Sequence, residues 1–166
     1  NYEQQPQDEG QIDEVFASIS GMLESTRQAS SPRSLLVAST SEKEGKTSTA
    51  SNLAIMYDKS VAKTLLVDFD LRRPRVGRIF GMPDDAESLI SVLSEGSPAD
   101  FDRLPFQSLC ENLDVVASRL PGEHSPAELI GGKNVRTFIQ WARKKYERVV
   151  IDSPPYGVLG DAVVLA

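Results

Sequence analysis

The apolar run Leu35-Leu36-Val37-Ala38 breaks into a polar loop, Ser39 to Glu44, which ends in Gly45-Lys46-Thr47 and enters the helix-like Ala50-Ser51-Asn52-Leu53-Ala54-Ile55. Strand, loop and helix in that order make a phosphate-binding layout. The first N–H groups of a helix have no partner within it, and with the helix dipole they point at an anion. Gly45 lets the backbone approach phosphates with no Cβ in the way. Lys46 is placed to reach the outer phosphate oxygens, and the Thr47 hydroxyl to ligate Mg2+.

The match to the Walker A pattern is partial, because Thr40 holds the place of its first glycine. A Ser/Thr-rich turn before an ordinary helix is the plain alternative for this stretch alone, so the rest of the chain decides. A second buried strand, Thr64-Leu65-Leu66-Val67, ends in Asp68-Phe69-Asp70. A third spans Leu113-Asp114-Val115-Val116-Ala117, and a fourth, Arg148-Val149-Val150-Ile151, runs into Asp152-Ser153-Pro154-Pro155. Helices are expected from the loop to about Tyr57, over 88–93, and from Ser125-Pro126 with Glu128 as the capping partner. Another carries the stripe Val135, Phe138, Ile139, Ala142 and Tyr146, with Asn134 as its cap, and a short helical turn is expected at 78–81. Strands alternating with helices predict an α/β fold: a doubly wound, mostly parallel sheet flanked by helices, with ligands at the carboxyl ends of the strands.

Residues 1–10 are rich in Gln, Glu and Asp and are expected to be disordered. Ile12, Val15, Phe16, Ile19, Met22 and Leu23 then recur at helical spacing, with Asp8 and Gln11 available as caps, and this stripe is expected to lie on the core of the same domain. That domain is expected over 11–166. Its last helix starts near Asp161 and ends at Ala166, which leaves a sheet of this type a strand or two short. With no initiator Met, the chain reads as a piece of a longer protein.

The net charge of −6 argues against nucleic acid as the main partner, since phosphate backbones are bound through clustered Lys and Arg. Local basic clusters stand at Arg72-Arg73-Pro74-Arg75 and at Arg143-Lys144-Lys145, the second expected in the solvated last turn of a helix. The single cysteine, Cys110, excludes an internal disulfide, suits a reducing compartment and reads as a small core hydrophobe. No apolar run approaches the roughly eighteen residues a membrane span needs.

Lys46 and Thr47 after the first strand, Asp68 and Asp70 after the second, and Asp152 after the fourth fall on one edge of such a sheet. Mg2+ takes octahedral oxygen ligands and keeps several waters, so a hydroxyl and one or two carboxylates, completed by phosphates, are the expected donors. Thr47, Asp68 and Asp152 supply them. Ser41, Glu42, Lys43, Glu44, Gly45, Lys46, Thr47 and Ser48 form the expected cofactor-binding loop.

In these residues the chain resembles the bacterial tyrosine kinases of capsule and exopolysaccharide systems. Glu44-Gly45-Lys46-Thr47 looks like their Walker A ending, Leu65-Leu66-Val67-Asp68-Phe69-Asp70-Leu71-Arg72 like their Asp-x-Asp-x-Arg element, and Val149-Val150-Ile151-Asp152-Ser153-Pro154-Pro155 like their Walker B. The similarity runs from Ile12 onward. It implies a P-loop NTPase type of fold and ATP- and Mg2+-dependent phosphorylation of tyrosine. Lys46 would hold the phosphates, Thr47 and Asp152 the metal. Asp68 would touch the metal shell or take the tyrosine proton, with Asp70 and Arg72 positioning it. The resemblance also implies a place at the cytoplasmic face of the cell membrane and a membrane-anchored polysaccharide chain-length regulator as partner, fused or separate.

The chain departs from the family at Glu42, where Pro is frequent. Glu14, Ala17 and Ser20 align with Glu-x-x-Arg-x-x-Arg, so the self-association that the family builds on those arginines lacks both here. Tyr2, Tyr57, Tyr146 and Tyr156 are scattered, and Tyr57 and Tyr146 read as packing residues. Two other readings stay open: a nucleotide-binding scaffold of the export machinery, and a partitioning-type ATPase switch. Against the switch, its signature lysine falls at Ser41, two residues from Lys43.

Overall fold

A computed structural model describes residues 14–19, 21–22, 34–83, 85–107, 110–119 and 125–155. The chain divides into two compact units, Asn1–Pro32 and Arg33–Ala166. In the first, residues 14–19 and 21–22 are helical (α1). Of the stripe read from the sequence, Val15, Ile19 and Met22 are 56%, 37% and 67% exposed. Residues 1–10, the caps Asp8 and Gln11, Ile12, Leu23 and the helix expected from Asp161 lie outside the described residues.

The second unit runs β1 (Ser34–Val37), α2 (Lys46–Lys59), β2 (Thr64–Asp68), α3 (Val76–Ile79), α4 (Leu89–Ser94), a 3-10 helix (Pro98–Arg103), β3 (Phe106–Gln107), β4 (Leu113–Val116), α5 (Pro126–Gly131), α6 (Lys133–Lys145) and β5 (Arg148–Asp152). The sheet order is β1-β5-β2-β4-β3. Every pairing is parallel except that of β3 with β4, so the expected doubly wound sheet gains an antiparallel edge. A two-residue strand behind Pro105 is too short to carry a period, which is why the sequence does not announce it.

The period of two along each strand sorts the core into two layers. Leu65, Val67, Val149 and Ile151 pack under α4, α5 and α6 with Phe101 and Phe138. Leu66, Val115 and Val150 pack on the other face, against Ala50, Ala54 and Tyr57 of α2 and Val76 of α3. Asp68 shares the parity of Leu66 and Asp152 that of Val150, so both carboxylates are directed to the α2 face. Tyr57 and Tyr146 are buried, as expected of packing residues, and the Tyr146 hydroxyl donates to Asp114 Oδ2 at 2.8 Å.

Two expected caps form otherwise. Ser125 makes no side-chain cap on α5, and α6 starts after Gly132 with Asn134 already inside its first turn. Asn134 Nδ2 instead donates to the Leu93 carbonyl at 3.0 Å, satisfying an acceptor at the end of α4 and tying α6 to it. Arg143, Lys144 and Lys145 do occupy the last turn of α6. Among the described residues, no helix is long and apolar enough to cross a membrane.

Candidate nucleotide-binding site

The carboxyl ends of β1, β2 and β5 form one edge, and register sets it: Val37 pairs with Asp152, and Asp152 with Asp68. The loop from β1 to α2 arches over this edge. Gly45 caps α2 with φ 84, a left-handed conformation that glycine adopts without strain. Lys43, two residues earlier, is left-handed without being glycine, at φ 63. Such strain persists where the surroundings impose it, and it gathers at functional loops.

The side chains of the loop divide into two kinds. Glu44 braces the loop itself, with Oε2 accepting from the Ser41 N–H at 3.2 Å and Oε1 from the Thr40 hydroxyl at 3.4 Å. The Ser41 backbone bond, foremost, holds its pKa below the usual value. Lys46 is buried, and its Nζ donates to Ser39 Oγ at 2.8 Å and more distantly to the Ser41 carbonyl at 3.5 Å. Its ammonium is thereby fixed under the loop. Glu42 turns the other way and forms an ion pair with Arg73.

Asp68 and Asp152 are both fully buried. Asp68 is spoken for: Oδ1 accepts from the Asp70 N–H at 3.1 Å, and Oδ2 from Arg75 and Val76 at 2.9 and 3.0 Å. It thus caps α3 from a distance and folds the turn that carries Asp70, Arg72 and Arg73. Asp152 has no such set, and neither of its carboxyl oxygens has a hydrogen-bond partner. The Thr47 hydroxyl lies near enough to draw its pKa down, although outside hydrogen-bond geometry. Burial is the largest influence on both and raises them, to about 8 for Asp68 and about 6 for Asp152. For Asp68 the Asp152 charge adds to the rise against its backbone donors, and for Asp152 the Asp70 charge does so against Lys46 and Arg75.

A cleft of about 230 Å3 opens on this edge, lined by Glu42, Lys43 and Gly45 to Ser48, by Asp70, Arg72, Arg73 and Arg75, and by Pro155. Of the sequence-predicted residues, Glu42, Lys43, Gly45, Lys46, Thr47, Ser48, Asp70 and Arg72 line it, whereas Ser41, Glu44, Asp68 and Asp152 do not; Lys46 lies near enough to Asp152 to lower its pKa. Sequence reasoning passed over Ser39, which holds Lys46, and Ser153, whose Oγ donates to the Val37 carbonyl at 2.9 Å and locks β5 to β1. It also gave Arg73 and Arg75 no role, although their cluster directly follows Asp70. Among the described residues, no group of three or more His, Cys, Asp or Glu could cage a metal.

Fold and edge together define a class: an α/β domain of the P-loop NTPase type, and solved structures share its fold. The chimerical protein CapA2B2 superposes with a TM-score of 0.82, at 29% identity over 99% of this chain and 69% of that one. MinD from Pyrococcus horikoshii, solved with Mg-ADP, has the same fold at a TM-score of 0.68, 23% identity, and 80% and 53% coverage. No sequence-family profile matches the chain. In sequence it is 34% identical over 133 residues to the tyrosine-protein kinase YwqD of Bacillus subtilis, spanning 80% of this chain and 54% of that protein. It is 28% identical over 155 residues to the putative tyrosine-protein kinase CapB of Staphylococcus aureus, spanning 93% and 66%. In sequence and in fold the chain is similar to the bacterial tyrosine-protein kinases. It spans between about half and two thirds of the length of these curated relatives.

Proposed function

We propose that this chain is the catalytic domain of an ATP-dependent protein-tyrosine kinase that regulates capsule or exopolysaccharide synthesis. The observation that carries this reading is Asp152: a buried carboxylate with both oxygens unpartnered, beside Thr47 and Lys46. An uncompensated buried carboxylate is costly, and that cost suits a group reserved for a cation. Thr47 and Asp152 would hold Mg2+, which supplies neutralisation of phosphate charge when bound. Asp68, already committed to three backbone donors, fits a positioning residue better than a direct ligand.

The chain's own part is to bind and orient. Backbone N–H groups at the start of α2, the Lys46 ammonium and Arg72, Arg73 and Arg75, which line the cleft, would hold a triphosphate. Phosphoryl transfer depends mainly on positioning and charge stabilisation, which this set can provide. Asp70, half-buried, lines the same cleft and would orient an incoming tyrosine hydroxyl. A membrane-anchored chain-length regulator, fused or separate, at the inner face of the cell membrane is the partner this reading implies.

The test is ATP binding with and without Mg2+, followed by phosphotyrosine detection on the protein and on an added tyrosine-rich tail. Phosphotyrosine that disappears in Lys46→Met is the expected result. Phosphate release without phosphotyrosine would replace the kinase with an ATPase switch, and an unaffected Lys46→Met would remove the site.

A further inference from the structure

The Glu42–Arg73 ion pair bridges two segments, the loop after β1 and the turn after β2. Both residues line the cleft. Their side chains are 46% and 58% exposed, and so exposed a pair contributes little to folding. Its position matters more than its strength. The Arg73 backbone is pinned, its N–H donating to the Asp70 carbonyl at 3.1 Å and to Asp70 Oδ1 at 3.2 Å. Only the side chain is left to swing. The acidic residues of the phosphate loop are also unequal: Glu44 is engaged with Ser41 and Thr40 of its own loop, whereas Glu42 reaches across.

We propose that Arg73 is a triphosphate-contacting residue and that Glu42 is its resident counter-anion, which a nucleoside triphosphate displaces. This rests on the nucleotide-binding reading and adds a specificity element to it. A guanidinium presents the same donor fork to a carboxylate and to a phosphate, and it favours the more highly charged anion. A triphosphate outcompetes one carboxylate for that fork while repelling Glu42 from the cleft. Glu42 therefore sets a threshold: weakly charged anions leave the pair closed, and a triphosphate opens it.

Titration calorimetry with ATP and Mg2+ tests this on the full chain. Glu42→Gln is expected to bind about three- to tenfold more tightly and Arg73→Gln about three- to tenfold more weakly, the range of a charge-assisted contact in a partly solvated site. The double variant is expected to bind no better than Arg73→Gln, because Glu42 acts through Arg73. Asp102→Asn removes the same charge at the Lys145 pair, which does not line the cleft, and should leave binding unchanged. Wild-type affinity in Arg73→Gln, no gain in Glu42→Gln, a gain that survives in the double variant, or an equal gain in Asp102→Asn would each overturn the proposal. Lys46→Met separates the two levels. If it binds as the wild type does, the phosphate site itself is misassigned and the proposal goes with it. If it loses binding while Glu42→Gln and Arg73→Gln match the wild type, only the role of the ion pair is refuted.

Discussion

Asp68 and Asp152 are neighbours in register at the ends of adjoining strands, directed to the same face and equally buried. One has three backbone donors and the other none. The first is built into the fold, since its acceptors hold the turn after β2 and the start of α3. The second is held open against the preference of a buried charge for compensation. From two like residues in like positions, the surroundings make a structural anchor and an unpartnered carboxylate.

The largest effect that separates them is on stability. Asp68→Ala strands three buried or half-buried N–H groups and should cost about 3 kcal/mol, read from urea unfolding. If Asp152→Ala cost as much, the contrast between the anchored and the unpartnered carboxylate would collapse. Asp152→Asn should do the opposite of Asp68→Ala. By removing an uncompensated buried charge it should stabilise the nucleotide-free protein by on the order of 1–2 kcal/mol at pH 8. It should also lose the Mg2+-dependent part of ATP binding.

The pH dependence sharpens the same comparison. Both carboxyls have folded pKa values raised from 3.8, to about 6 for Asp152 and about 8 for Asp68. The folded state then holds protons that the unfolded state releases. The stability this gives is full below the ordinary value and is lost as pH climbs through the folded values. The melting temperature of the nucleotide-free protein should therefore fall between pH 5 and pH 8, less steeply in Asp152→Asn. The lowered carboxyls, Glu44, Asp100 and Asp102, act below that window.

The smallest effect lies at the far end of α2, where Val61 takes a left-handed φ of 61. Its N–H donates to the Asp58 carbonyl at 2.8 Å, closing the helix with a branched residue where glycine is favoured. Val61→Gly should stabilise by about 0.5–1 kcal/mol and leave ATP affinity unchanged. A change in affinity would mean that strain in α2 is shared between its two ends.

The strands were legible because each is a short apolar run closed by a polar or acidic residue, and four of five stand where the pattern puts them. The phosphate loop was legible from Gly45-Lys46-Thr47, and the shared edge from the aspartates that follow β2 and β5. Asn134 misled because a capping residue type is the same string of letters whether it caps its own helix or ties down a neighbour.

By itself the sequence determined the order of strands and helices and which chemical groups stand at the strand ends, because both are written in local spacing. Tertiary structure alone decided the division of labour between Asp68 and Asp152, the hold of Ser39 on Lys46 and the reach of Glu42 to Arg73. Each of these depends on which distant donors arrive within about 3 Å, and hydrogen bonding at that range is a property of the folded neighbourhood rather than of the residue.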